Sequence, residues 1–157
     1  LATFIRKCKK QDWFENTIFV FVADHGHSTP SAPVPYSSAF YRIPFLIWGE
    51  PLKDEYRGVK IDKLGSQTDI AATLIYQFGG DISKYPWSKD LLNPASPEFA
   101  LHTIIDGYGW ISPKGAMTYK MMTKQLVENS YAPKDFKGEV ANCHAYLRTI
   151  YEDYKEL

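Results

Sequence analysis

Residues 16–28 read NTIFVFVADHGHS. Thr17 to Ala23 is a run of β-branched, aromatic and small residues with no polar alternation. That pattern predicts a strand covered on both faces, as in a parallel sheet lying between helices. The run ends abruptly in Asp24, His25, Gly26 and His27, so a rigid strand delivers a carboxylate and imidazoles to one end of a sheet. In open α/β sheets, ligands sit beyond the carboxyl ends of the strands, which makes this junction the first place to look for chemistry.

Upstream, Leu1, Phe4, Ile5 and Cys8 recur at helical spacing with Arg6, Lys7, Lys9 and Lys10 on the remaining surface, predicting an amphipathic helix that covers the strand. Because the chain opens on Leu1 in the middle of this pattern, it is expected to be part of a longer protein. Downstream, STPSAPVPYSS (28–38) holds three prolines and five serines or threonines and predicts an irregular loop. IPFLIWG (43–49) predicts a second buried strand that tolerates a proline at its start. In GSQTDIAATLIYQFGG (65–80), Ser66 or Thr68 is the expected helix cap, Asp69 lies in the first turn, Ile70, Leu74 and Phe78 form a stripe, and Gly79-Gly80 stops the helix.

Phe99 to Val127 reads as three short antiparallel strands, with turns at Asp106-Gly107 and Pro113 to Gly115. Val140, Cys143, Leu147, Ile150 and Tyr154 then mark a C-terminal amphipathic helix. The expected fold is α/β: a mostly parallel sheet flanked by helices, with a small antiparallel meander and a C-terminal helix. Residues 1–157 are expected to form a single compact unit.

Eighteen basic and eighteen acidic residues balance to a formal charge of zero, which offers nothing to nucleic acid and no long-range pull toward an anionic membrane. Any recognition of anions must therefore be local. No apolar run approaches the ~20 residues that span a bilayer. Cys8 and Cys143 are too few for a disulfide framework.

A carboxylate and an imidazole are ligands for zinc, manganese and related divalent ions, and adjacent residues on a turning backbone can reach one ion from two directions. The plainer alternative is that Asp24 caps a turn and His25 is a solvated histidine. His27 is either a substrate contact or further ligand, or a solvated loop residue. Asp69 is read as structural, because the first turn of a helix favours an acid for electrostatic reasons alone. Arg42 is either a contact for an anionic substrate or solvated, and His102 and His144 are expected at the edge of the core.

The succession FVADHGHS, RIPFLIWG and SQTDIAATLIYQFGG resembles the C-terminal half of the alkaline-phosphatase-like superfamily, especially sulfatases and lipoteichoic acid synthase-like phosphoglycerol transferases. The resemblance covers Asn16 to about Leu92. It implies that Asp24 and His25 ligate a divalent metal (Mn, Mg, Ca or Zn) in an enzyme that hydrolyses or transfers sulfate or phosphate esters. SQTDIAATLI looks closer to the transferases, and the Lys-x-x-x-Tyr-Glu-Gly-Gly lead-in of sulfatases is missing before YRIPF.

In that superfamily the Thr, Ser or Cys-derived nucleophile and the remaining acidic ligands belong to the N-terminal half. Neither Cys8 nor Cys143 stands in the required context. The resemblance thus implies half an active site, inactive by itself, in an extracytoplasmic protein whose only membrane contact is an upstream anchor. The alternative from another class is a non-catalytic binding or scaffolding module that presents Tyr36, Tyr41, Trp48, Trp87 or Trp110 to a partner. Self-association through an exposed sheet edge is a further expectation.

Overall fold

The computed structural model describes residues 1–26 and 33–156. His27 and the first part of the proline-rich loop lie outside the described residues. Two compact units are present: Leu1–His27 with Arg42–Ile61, and Ser28–Tyr41 with Asp62–Leu157.

The first unit contains α1 (Ala2–Cys8), β1 (Ile18–Val22) and β2 (Phe45–Gly49). It is organised around Phe19. The ring of Trp48, its cross-strand partner, lies 5.5 Å away, and Phe14, Phe21, Phe4 and Trp13 surround it at 5.9, 6.2, 6.1 and 6.3 Å. Aromatic pairs at such separations add about 0.5–1.5 kcal/mol each beyond the area they bury. Gly49 is required because a Cβ there would strike the carbonyl oxygen of Thr17. Arg57 closes the turn after β2, donating from Nη2 to the Glu50 carbonyl (2.6 Å) and from Nε to the Leu52 carbonyl (3.1 Å), with Asp54 Oδ1 3.2 Å from Nε.

The expectation of a mostly parallel, doubly covered sheet is corrected here. β1 and β2 pair antiparallel, Ile18 opposite Gly49 through Val22 opposite Phe45, and β1 is only partly buried, with Val22 42% exposed. Among the described residues, no pair of strands is parallel. The reason lies in the connection. Parallel neighbours need a crossover, usually a helix, whereas the described part of the link between β1 and β2 holds only a short 3-10 turn, Ser38–Tyr41, after its prolines.

The second unit contains α2 (Asp69–Gln77), strands β3 (Ala100–Ile104), β4 (Gly107–Ser112), β5 (Gly115–Lys120) and β6 (Gln125–Asn129) in sequential antiparallel order, and α3 (Pro133–Glu156). Three strands were expected and four form. The run AMTYKMMTKQLV contains no glycine or proline, yet it turns between Lys120 and Gln125, with Lys124 in the left-handed region at φ 53°. Trp110, Met117, Tyr131 and Cys143 form the core, and Phe99, Leu101, Phe136, Val140 and Leu147 pack on it. The predicted stripe of the C-terminal helix is therefore the face that packs, as far as Leu147. Tyr154 is 71% exposed.

Helix α2 ends as its glycines predict. Gly79 takes φ 72°, its amide bonds the Tyr76 carbonyl (3.0 Å), and the Gly80 amide bonds that of Ile75 (2.9 Å), which is a Schellman closure. Its start departs from expectation, since the Thr68 side chain makes no capping bond. Asp69 does that work instead. Its Oδ2 accepts the Ser66 amide at 2.7 Å and lies 2.9 Å from Lys89 Nζ, while Oδ1 accepts the Lys89 amide at 2.8 Å.

Candidate metal centre

β1 delivers Ala23 to its last cross-strand bond, in which the Ala23 amide donates to the Pro44 carbonyl at 3.3 Å. The chain then bends, placing Asp24 and His25 in the open, with side chains 87% and 71% exposed. The His25 amide donates to Asp24 Oδ1 at 2.9 Å, which fixes the carboxylate. His25 Nδ1 lies 2.7 Å from the Gly26 carbonyl oxygen. A carbonyl can only accept, so Nδ1 carries the hydrogen. In the neutral ring Nε2 therefore presents its lone pair, the arrangement by which metal-bound histidines have their tautomer and orientation set.

His25 Nε2 lies 3.4 Å from Asp24 Oδ2. Two lone-pair donors facing each other at that separation repel unless a positive charge sits between or on them, whether a proton on the imidazole or a bound cation. With bonds of about 2.1 Å to each donor, a tetrahedral ion separates its ligands by about 3.4 Å. The pair thus fits two positions of a coordination shell, and its borderline nitrogen and hard oxygen suit zinc or manganese. Among the described residues no group of three or more His, Cys, Asp or Glu side chains could hold an ion, so the described residues offer two candidate donors of a shell that normally has about four.

The remaining candidates separate clearly. Asp69 is fully buried and committed to Ser66 and Lys89, which is a structural role. His102, 8% exposed, stacks on Tyr41 at 4.1 Å with Nε2 3.4 Å from Thr118 Oγ1, and burial lowers its pKa from the ordinary histidine value, with Glu128 acting against that shift. His144 Nε2 meets the Tyr108 hydroxyl at 2.8 Å. Both cysteines are free thiols, and burial pushes the Cys143 thiol up to about 12, which leaves it protonated and unsuited to nucleophilic attack.

Sequence reading missed one feature of the second unit. The Glu128 carboxylate accepts the Ser38 amide (2.7 Å), the Ser38 hydroxyl (2.7 Å) and the Thr118 hydroxyl (2.9 Å), fastening the 3-10 turn Ser38–Tyr41 to β5 and β6. Partners ninety residues apart leave no local pattern to find.

These features define an α/β protein whose candidate centre is a metal-type Asp-His pair at a strand end. A crystal structure of an alkaline phosphatase superfamily protein from Vibrio parahaemolyticus shares the fold, with a TM-score of 0.68 at 20% identity over 98% of this chain and 39% of that one. The present chain therefore spans well under half of that protein. Residues 1–80 match the model of the sulfatase family, and the chain belongs to that family. No curated protein matches it significantly.

Proposed function

We propose that this chain provides part of the metal site of an enzyme that hydrolyses or transfers sulfate or phosphate esters, with Asp24 and His25 as two of the ligands. The observation that carries the reading is the 3.4 Å approach of His25 Nε2 to Asp24 Oδ2, combined with a tautomer fixed by the Gly26 carbonyl. Membership of the sulfatase family supports it, since the superfamily generally uses divalent metals.

A divalent ion there would act as a Lewis acid toward the ester oxygens and lower the pKa of a nucleophilic hydroxyl. The chain's own contribution is positional. β1 and its antiparallel partner hold the backbone of residue 23, the His25 amide orients the carboxylate, and the Gly26 carbonyl orients the imidazole. The nucleophile and the other ligands are assigned to sequence beyond this chain, and so is any membrane anchor. An extracytoplasmic location follows the same reading. Among the described residues no helix is long and apolar enough to cross a membrane.

The test is metal-dependent hydrolysis of an aryl sulfate and an aryl phosphate by the full-length protein. Asp24→Ala and His25→Ala are each expected to lower kcat/KM by about 1,000-fold or more, because the metal is held at the reacting centre. Unchanged turnover in both variants, with the fold intact, rules the assignment out.

A further inference from the structure

The antiparallel register brings a residue of β2's approach to the same end of the ladder as the candidate metal pair. Pairing runs to Val22 opposite Phe45, and the Ala23 amide to Pro44 carbonyl bond extends it by one step. Residues opposite one another in such a ladder lie about 4.5–5.5 Å apart, and each further residue adds about 3.3 Å along the strand. Arg42 stands two positions before Pro44, and His25 two positions after Ala23, so both leave the ladder at the same end and within the same compact unit.

The arginines of this unit differ in what holds them. Arg57 is engaged by the Glu50 and Leu52 carbonyls and by the Glu50 and Asp54 carboxylates, and Arg6 donates to the Thr3 hydroxyl. Arg42 is exposed, and among the described residues its guanidinium makes neither a hydrogen bond nor an ion pair. A cation without a partner among the described residues, leaving the ladder at the same end as two candidate metal ligands, is placed to receive an anion. With a formal net charge of zero, the chain has no general field to draw one in.

We infer that Arg42 is the anion-gripping residue of this site, its planar fork taking two non-bridging oxygens of a sulfate or phosphate ester. The inference rests on the reading of Asp24 and His25 as metal ligands. The guanidinium presents parallel N–H donors that match a tetrahedral oxyanion two at a time. A lysine would supply the charge without the fork.

The experiment titrates the full-length, manganese-loaded protein with inorganic sulfate and inorganic phosphate by calorimetry, as wild type, Arg42→Ala and Arg42→Lys. The expected result is at least a tenfold weaker affinity for the preferred anion in Arg42→Ala, partial recovery in Arg42→Lys, and unchanged manganese affinity in both. An anion affinity in Arg42→Ala within twofold of wild type overturns the inference, as does failure of the wild type to bind either anion. The underlying reading is judged separately by manganese titration of Asp24→Ala, and it falls if that variant binds the metal as wild type does.

Discussion

Lys89 Nζ lies 2.9 Å from Asp69 Oδ2, and Asp69 is wholly shielded from solvent. The same lysine donates to the Phe99 carbonyl at 3.1 Å and sits 3.8 Å above the Phe99 ring. Through this pair, helix α2 is joined to the segment leading into β3. Thr73 adds to the joint by accepting the Leu91 amide at 2.9 Å, and the Ser88 hydroxyl by accepting the Ala72 amide at 2.8 Å.

Removing one member of a buried pair leaves the other charge uncompensated, which costs about 3–5 kcal/mol. Asp69→Ala also strands the Ser66 and Lys89 amides, so a loss at the upper end of that range is expected, read as a fall in the urea midpoint. Lys89→Met should cost less, because the remaining carboxylate keeps both amide donors. An equal or reversed order of the two variants would show that the ion pair outweighs the backbone bonds.

The isolated 157-residue chain should bind zinc or manganese weakly and turn over no ester, because the two proposed ligands, Asp24 and His25, fill only about half of a typical shell. Calorimetry on the chain and on His25→Ala would check this, with the residual binding expected to vanish in the variant. Metal-dependent turnover by the isolated chain would place a nucleophile within it.

Alkaline pH should destabilise the second unit through Cys143. The thiol is neutral in both states below its ordinary value of 9.0, the unfolded chain ionises above that, and the folded chain does so only near 12. Stability is therefore lost as pH rises across that window, at up to about 1.4 kcal/mol per pH unit for one group. Comparing urea midpoints at pH 8 and pH 10, wild type should fall further than Cys143→Ala. In the native state at pH 8, Cys143 should also resist alkylation.

Gly109 lies directly opposite His102, and a Cβ there would run into the imidazole ring. Gly109→Ala should cost about 1–3 kcal/mol by overpacking and should displace the ring from Tyr41. NMR titration would report His102 below the usual histidine range in wild type and moved back toward it in the variant. With the folded value lowered by burial, stability is expected to fall as pH drops below about 6.5. His102→Phe should remove that dependence.

Local events are legible in the residues that make them. The residue types in 16–28 specified a strand ending in Asp24-His25, Gly79-Gly80 specified where α2 stops, and the spacing from Val140 to Leu147 specified the face by which α3 packs. The order of motifs was enough to point to the family. Each of these depends on residues within a few positions of one another, where periodicity and φ/ψ preference act directly.

The direction of β2, the split of the third expected strand into β5 and β6, the commitment of Asp69 to Lys89, and the grip of Glu128 on Ser38 are visible in the folded chain alone. An apolar run reports that a strand packs against something, and carries no information about which strand lies beside it or which way that neighbour runs. The antiparallel return of β2 is what brings Arg42 to the end of the ladder where Asp24 and His25 emerge.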